Sequence, residues 1–129
     1  MEIDFQKGGG LVPAIIQEES TGEVLMLGFM NRESLQETQR TGEVVFYSRS
    51  RAKLWKKGES SGHVLRVREL RVDCDADALL VRVQALGPGV CHEGYRSCFY
   101  RSLDANGTPR IIEERAFVPE AVYGRGKHS

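Results

Sequence analysis

Residues 64–86 read VLRVRELRVDCDADALLVRVQAL. Two apolar-alternating runs flank an acidic segment. In residues 79–86, Leu79, Val81, Val83 and Ala85 fall on one face with Arg82 and Gln84 between them, the period-two pattern of a half-buried strand. The first run, residues 64–72, is less regular. Leu65 and Val67 set one apolar phase, and Leu70 and Val72 set the other. A register slip near Glu69, a β-bulge, reconciles the two. Asp73 to Asp77 then forms a hairpin turn or strand end.

The pattern continues on both sides. Residues 11–18 are apolar but interrupted by Pro13, which predicts an irregular or edge strand. Thr21-Gly22 signals a turn, and residues 23–30 predict a strand that closes a hairpin. Asn31 suits the N-cap of a short helix over 32–40, and Gly42 supplies its stop. Residues 43–48 are strand-like. Residues 48–62 are basic, rich in Ser and Gly and weakly periodic; they predict a long loop, which in a compact domain is usually functional. Gly87-Pro88-Gly89 breaks the chain, 98–103 predicts a last strand, and the polar residues 124–129 predict a frayed tail. The fold class is α+β: one compact domain of mostly antiparallel short strands with one or two short helices. The expected division is a domain over 1–103 and a C-terminal extension over 104–129.

At 129 residues the chain is long enough for one compact domain. Eighteen basic residues balance eighteen acidic ones, which argues against nucleic acid or an anionic membrane surface as partner. No apolar run approaches the ~20 residues of a membrane helix. The first ten residues carry Glu2, Asp4 and Lys7 and do not read as a secretory signal. The expected compartment is the cytoplasm, where three cysteines are thiols or metal ligands rather than disulfides.

Those cysteines, Cys74, Cys91 and Cys98, lie in one region. Free cysteines are often small buried residues. Here, however, Cys74 sits between Asp73 and Asp75, and Cys91 precedes His92, Glu93 and Gly94, both poor core sequences. Thiolates with a nearby imidazole suit Zn²⁺. Three protein ligands and one open position is the catalytic pattern, in which a bound water reaches a pKa of ~7; four filled positions is the structural one. Asp73, Asp75 and Asp77 share a face in extended backbone, with Cys74 on the other. Three close carboxylates suit Mg²⁺ or Ca²⁺, or form a solvated acidic turn. Arg49, Arg51, Lys53, Trp55 and Lys57 place cations and one aromatic beside hydroxyls, a pattern for phosphate and base binding or for a solvated surface. His63 follows Ser61-Gly62, between the basic loop and the cysteine segment.

The ordered set of segments resembles one family. It comprises Met26-Leu27-Gly28-Phe29-Met30-Asn31, Ser48-Arg49-Ser50-Arg51, Leu54-Trp55-Lys56-Lys57-Gly58-Glu59, Ser61-Gly62-His63, Asp73 to Leu80, and Cys91-His92-Glu93-Gly94-Tyr95-Arg96-Ser97-Cys98-Phe99. Together they are similar to phosphoribosyl-AMP cyclohydrolase, over roughly residues 11–101. Two departures are visible. The Gly87-Pro88-Gly89-Val90 turn is one residue longer than the family's commonest form, and Glu93 replaces the usual threonine or lysine.

The resemblance implies hydrolysis of the N1–C6 bond of the adenine ring of phosphoribosyl-AMP, the third step of histidine biosynthesis, by zinc-activated water. It implies a homodimer whose zinc is shared, with Cys74 from one subunit and Cys91 and Cys98 from the other. It also implies magnesium at Asp73, Asp75 and Asp77. The leaving ring nitrogen needs a proton donor, for which His63 and His92 are the candidates. Arg49, Arg51, Lys53 and Lys57 are candidates for the two phosphates, and Trp55 for stacking on the base. The alternatives are another zinc-dependent nucleotide or amidine hydrolase, and a zinc-stabilised binding module with His92 as fourth ligand.

Overall fold

The computed structural model describes residues 2–122. A four-stranded sheet forms its centre. Strands β1 (Val12–Glu18) and β2 (Val24–Met30) make an antiparallel hairpin that pairs Val12 with Met30 and Ile16 with Met26. Val12, Ala14, Ile16 and Glu18 alternate inward along β1. The turn between them places Gly22 at φ +79°, a conformation glycine adopts without steric cost.

Asn31 caps helix α1 (Arg32–Thr41). Its side chain accepts from the Ser34 amide at 2.8 Å, and the Ser34 hydroxyl accepts from the Asn31 amide at 2.9 Å. Such a reciprocal cap contributes about 1 kcal/mol. Gly42 ends the helix at φ +74°. Fully buried Thr38 accepts from the Val45 amide at 3.0 Å and donates to the Ser34 carbonyl at 2.8 Å, so the helix grips the next strand through one hydroxyl.

That strand, β3 (Val45–Ser48), pairs with β4 (Lys53–Lys56), with Phe46 opposite Trp55. The predicted loop over 48–62 therefore contains a strand. β4 reads Lys-Leu-Trp-Lys, four residues with charge at both ends, too short to register as alternation. Phe46 is fully buried, and it lies over Gly28 of β2 so closely that a Cβ there would meet its ring at 2.5 Å.

Strands β5 (Leu65–Val72) and β6 (Leu79–Ala85) complete the main sheet in the order β2-β1-β6-β5. They pair antiparallel, and the register shifts between Val67 and Glu69, where the two apolar phases of the sequence meet. The outer edge of β5 is covered: Val44 donates to Leu65 at 3.0 Å, and Val67 donates to Gly42 at 2.7 Å.

β1 and β6 run parallel, from Ala14–Leu79 to Glu18–Val83. β1 is thus interior, not the edge strand that Pro13 suggested. The parallel ladder begins at Ala14, one residue beyond the proline, so the missing N–H falls ahead of it.

The last predicted strand is shorter than residues 98–103: β7 (Arg101–Leu103) pairs with β8 (Pro109–Ile111) in an exposed hairpin. A single turn, α2 (Pro119–Val122), follows. Mixed sheets with two helices make the architecture α+β. The tail over 124–129 lies outside the described residues.

Candidate active site

The turn after β6 organises the site around His63. Gly87 has φ +102°, and a Cβ on it would meet the imidazole Cδ2 at 2.5 Å. The Nδ1 of His63 lies 3.1 Å from the Gly89 carbonyl. A carbonyl can only accept, so Nδ1 carries the hydrogen of this bond. Phe117 packs edge-on against the imidazole, with ring centroids 5.1 Å apart. It arrives because the Ala116 and Phe117 amides donate to Gly94 at 2.7 and 3.2 Å. No local signal in the sequence marks Phe117 for this position.

The same turn leads into the cysteines. Cys91 is buried, its amide bonded to the Tyr95 carbonyl at 3.1 Å, above the stacked rings of Tyr95 and Tyr100. Cys98 is fixed through its amide, which donates to Leu25 of β2 at 2.7 Å. Neighbouring Ser97, also buried, donates to the Val24 carbonyl at 2.8 Å and accepts from the Phe99 amide at 2.9 Å. Arg96 ties this loop to the β1–β2 hairpin through Glu18 and, at 2.6 Å, Glu23. Ser97 and Arg96 lie inside the recognised motif, but the sequence did not reveal these structural roles.

Cys98 is exposed as a residue, and a hydrogen bond links its thiol to that of Cys91. That hydrogen bond pulls the Cys91 pKa down to about 6 against the effect of burial, with help from the Glu93 and Tyr95 amides. It pushes Cys98 up, and burial adds to the rise. The pair therefore holds one negative charge near neutral pH, a donor set suited to a soft divalent metal.

Lys57 is only 5% exposed. Burial lowers its pKa, while Cys98 and Cys91 favour its charged form. Its Nζ lies 5.8 Å from the centroid of the Trp55 ring. Lys57 is thus set between Trp55 and the cysteines rather than on an open phosphate-binding surface. Next to it, Gly58 at φ +89° packs so tightly on the His63–Val64 peptide that a Cβ would fall 2.6 Å from its atoms. The backbone beside Lys57 is thereby held against that of His63.

Trp55 belongs to an open cleft of about 570 Å³ lined by Gly28, Phe29, Phe46, Tyr47, Arg49, Ser50 and Trp55. Phe46 and Trp55 stand 5.1 Å apart, centroid to centroid, and the Arg49 guanidinium sits 4.2 Å above the Phe29 ring. Of the five proposed substrate-binding residues, the cleft collects Arg49 and Trp55. Arg51 and Lys53 stay exposed on the β3–β4 turn and its start. His92 is exposed, with Nε2 3.5 Å from Glu93.

The aspartates meet at the β5–β6 turn. Asp73 Oδ1 accepts from the Asp77 and Ala78 amides at 3.0 and 3.2 Å, and Ala76 takes φ +62°. The turn, not strand alternation, brings the three carboxylates together, with one oxygen of each within 4.8 Å of the others. Lys7 Nζ sits 2.9 Å from Asp77 and 3.3 Å from Asp75. These contacts raise the Lys7 pKa and lower that of Asp77. The donor set is all oxygen and already attracts a cation, so it fits a hard divalent ion. Exposed Cys74 lies on the same turn, its thiol 3.9 Å from Asp75. Among the described residues, this triad is the only group of three or more His, Cys, Asp or Glu placed to share a metal; Cys74 does not join Cys91 and Cys98 within one chain.

The family model for phosphoribosyl-AMP cyclohydrolase matches residues 26–100, which include every proposed metal-binding, catalytic and substrate-binding residue. A protein of Solibacter usitatus named phosphoribosyl-AMP cyclohydrolase is 56% identical over 124 residues, covering 96% of this chain and 98% of its own length. Proteins of the same name from Alkalilimnicola ehrlichii and Methanococcoides burtonii are 57% and 53% identical over 116 residues, 90% of this chain and 80% and 92% of their own lengths. Identity at this level across nearly the whole length leaves one conclusion: the chain belongs to the phosphoribosyl-AMP cyclohydrolase family.

Proposed function

We propose that the chain hydrolyses the N1–C6 bond of the adenine ring of phosphoribosyl-AMP, opening it to the aminoimidazole carboxamide nucleotide of histidine biosynthesis. Family membership over the stretch that holds the site carries this reading. The reaction adds one water: its oxygen bonds to C6 and becomes the carboxamide oxygen, the C6–N1 bond breaks, and the water's two protons end on N1 and on the exocyclic nitrogen at C6.

Cys91 and Cys98, with Cys74 of a second copy as third ligand, would hold zinc, which when bound would supply a water acidic enough to attack near neutral pH. The shared-hydrogen thiol pair and the separate position of Cys74 support this arrangement. Magnesium at Asp73, Asp75 and Asp77 completes the metal set. The assembly is a homodimer and the compartment the cytoplasm. No described helix is long and apolar enough to cross a membrane.

His63 is the better oriented of the two proton carriers. Its Nδ1–H is committed to Gly89, which leaves Nε2 to exchange a proton with the ring nitrogen. The base stacks in the cleft against Trp55, whose ring centroid lies 5.8 Å from the Lys57 ammonium. Arg49 and Ser50 hold one phosphate, and Arg51 and Lys53 at the neighbouring turn hold the other.

The test is ultraviolet absorbance during incubation of the zinc-loaded chain with phosphoribosyl-AMP and Mg²⁺, beside Cys91→Ala. Ring opening by the native chain alone is the expected result. A folded, metal-loaded chain without turnover overturns the reading.

A further inference from the structure

Of the segment before β1 only Lys7 enters the site described above, and the segment as a whole is anchored against the aspartate turn. Phe5 is buried in the core. The Asp4 amide donates to the Ala76 carbonyl at 2.7 Å, inside the 73–77 turn. Asp4 Oδ1 then accepts from the Lys7 amide at 3.1 Å, which closes the short 3-10 turn Gln6–Gly8. Lys7 is thereby presented to carboxylates far along the chain. Its ammonium reaches Asp77 at 2.9 Å and Asp75 at 3.3 Å.

A divalent cation bound by those oxygens at about 2.1 Å would lie close to that ammonium. Two like charges so near repel each other strongly, so one must leave. The Lys7 side chain is half exposed and can swing into water. We propose that Lys7 is an internal competitor for the aspartate triad: its ammonium occupies the carboxylates until a divalent ion displaces it. Lys7 thus sets the magnesium concentration at which the triad fills. The inference rests on the reading of Asp73, Asp75 and Asp77 as a magnesium site.

The experiment is calorimetric titration of the zinc-loaded full chain with Mg²⁺, using native protein, Lys7→Met and Asp75→Asn. Lys7→Met should bind Mg²⁺ roughly three- to tenfold more tightly, the worth of two exposed ion pairs. Asp75→Asn should bind it weakly or not at all. Equal affinities for native protein and Lys7→Met, with Asp75→Asn weakened, overturn the role of Lys7 alone. Native affinity retained in Asp75→Asn overturns the magnesium site itself, and this proposal with it. A second readout needs no variant. Acylation of Lys7 by an amine-directed reagent, mapped by mass spectrometry, should speed up several-fold when Mg²⁺ is added. An unchanged rate despite bound Mg²⁺ overturns displacement.

Discussion

The imidazole Nδ1 of His63 lies 3.1 Å from the carbonyl oxygen of Gly89, two residues ahead of Cys91. The tautomer of the proposed proton carrier is therefore set by the turn that delivers a proposed zinc ligand. Replacing His63 by Ala should lower kcat about 10²- to 10⁴-fold, the usual worth of a general acid or base. Zinc content should stay near native, because the imidazole is not a ligand. Turnover close to native would shift the proton-carrying role to His92.

Gly87 gives the same geometry a second test. At φ +102°, with a Cβ falling 2.5 Å from the His63 ring, alanine there is strained and displaces the imidazole. Gly87→Ala should lose about 1–3 kcal/mol in urea unfolding. Its kcat should fall more than its KM changes, since the strain falls on the imidazole and not on the residues that line the cleft. A variant of native stability and native kcat would contradict the packing.

The cysteine pair gives a pH dependence. In the metal-free folded chain Cys91 ionises near pH 6, against an unfolded value of about 8.5. A lowered folded pKa contributes stability that is present above the unfolded pKa and lost as pH falls through 6. Cys98 is shifted up, so its contribution is present below about pH 8.5 and lost above it. Stability of the metal-free chain should therefore climb from pH 6 toward 8.5 and decline beyond. Ultraviolet absorbance of the Cys91 thiolate in the metal-free chain should show a midpoint near pH 6, which Cys98→Ala moves upward by removing the shared hydrogen. A midpoint unaffected by Cys98→Ala would contradict the pairing.

Much of this framework was legible beforehand because it is local. Asn31 and Gly42 mark their helix by capping chemistry within a few residues. The bulge near Glu69 shows as a change of apolar phase. The aspartate cluster stands out as a type unsuited to a core, and the cysteines stand out by the polar residues beside them, although Cys91 itself is buried. What escaped depends on distant contacts. Pro13 hides an interior strand because only the register with β6 shows where the missing N–H falls. Lys57 reads as one more cation in a basic loop, yet the Val44 carbonyl fixes its amide and the fold buries it beside the cysteines. Phe117 and Lys7 reach the site from outside every motif.

Gly28 links the fold to the cleft. Its missing side chain is where the Phe46 ring lies, with Cε1 2.5 Å from a hypothetical Cβ. Gly28→Ala should cost about 1–3 kcal/mol by overpacking a fully buried ring. The displaced ring should push on Trp55, 5.1 Å away, and raise KM for the nucleotide. Native KM with reduced stability would separate the core from the base-binding cleft.

The position of Cys74 allows the shared site to be tested without a structure of the dimer. Cys74→Ala and Cys91→Ala should each be inactive alone. In a mixed dimer, one site combines the two defects and is dead. The other takes Cys74 from the Cys91→Ala subunit and the intact Cys91 and Cys98 from the Cys74→Ala subunit, so it has every ligand. Unfolding and refolding the two variants together in equal amounts makes half the dimers mixed. Each then carries one working site of two, so activity should return to roughly a quarter of native by the statistics of a two-fold assembly. Zinc content should rise in the same proportion. If all three cysteines served one chain, every site in the mixture would lack a ligand and no activity would return.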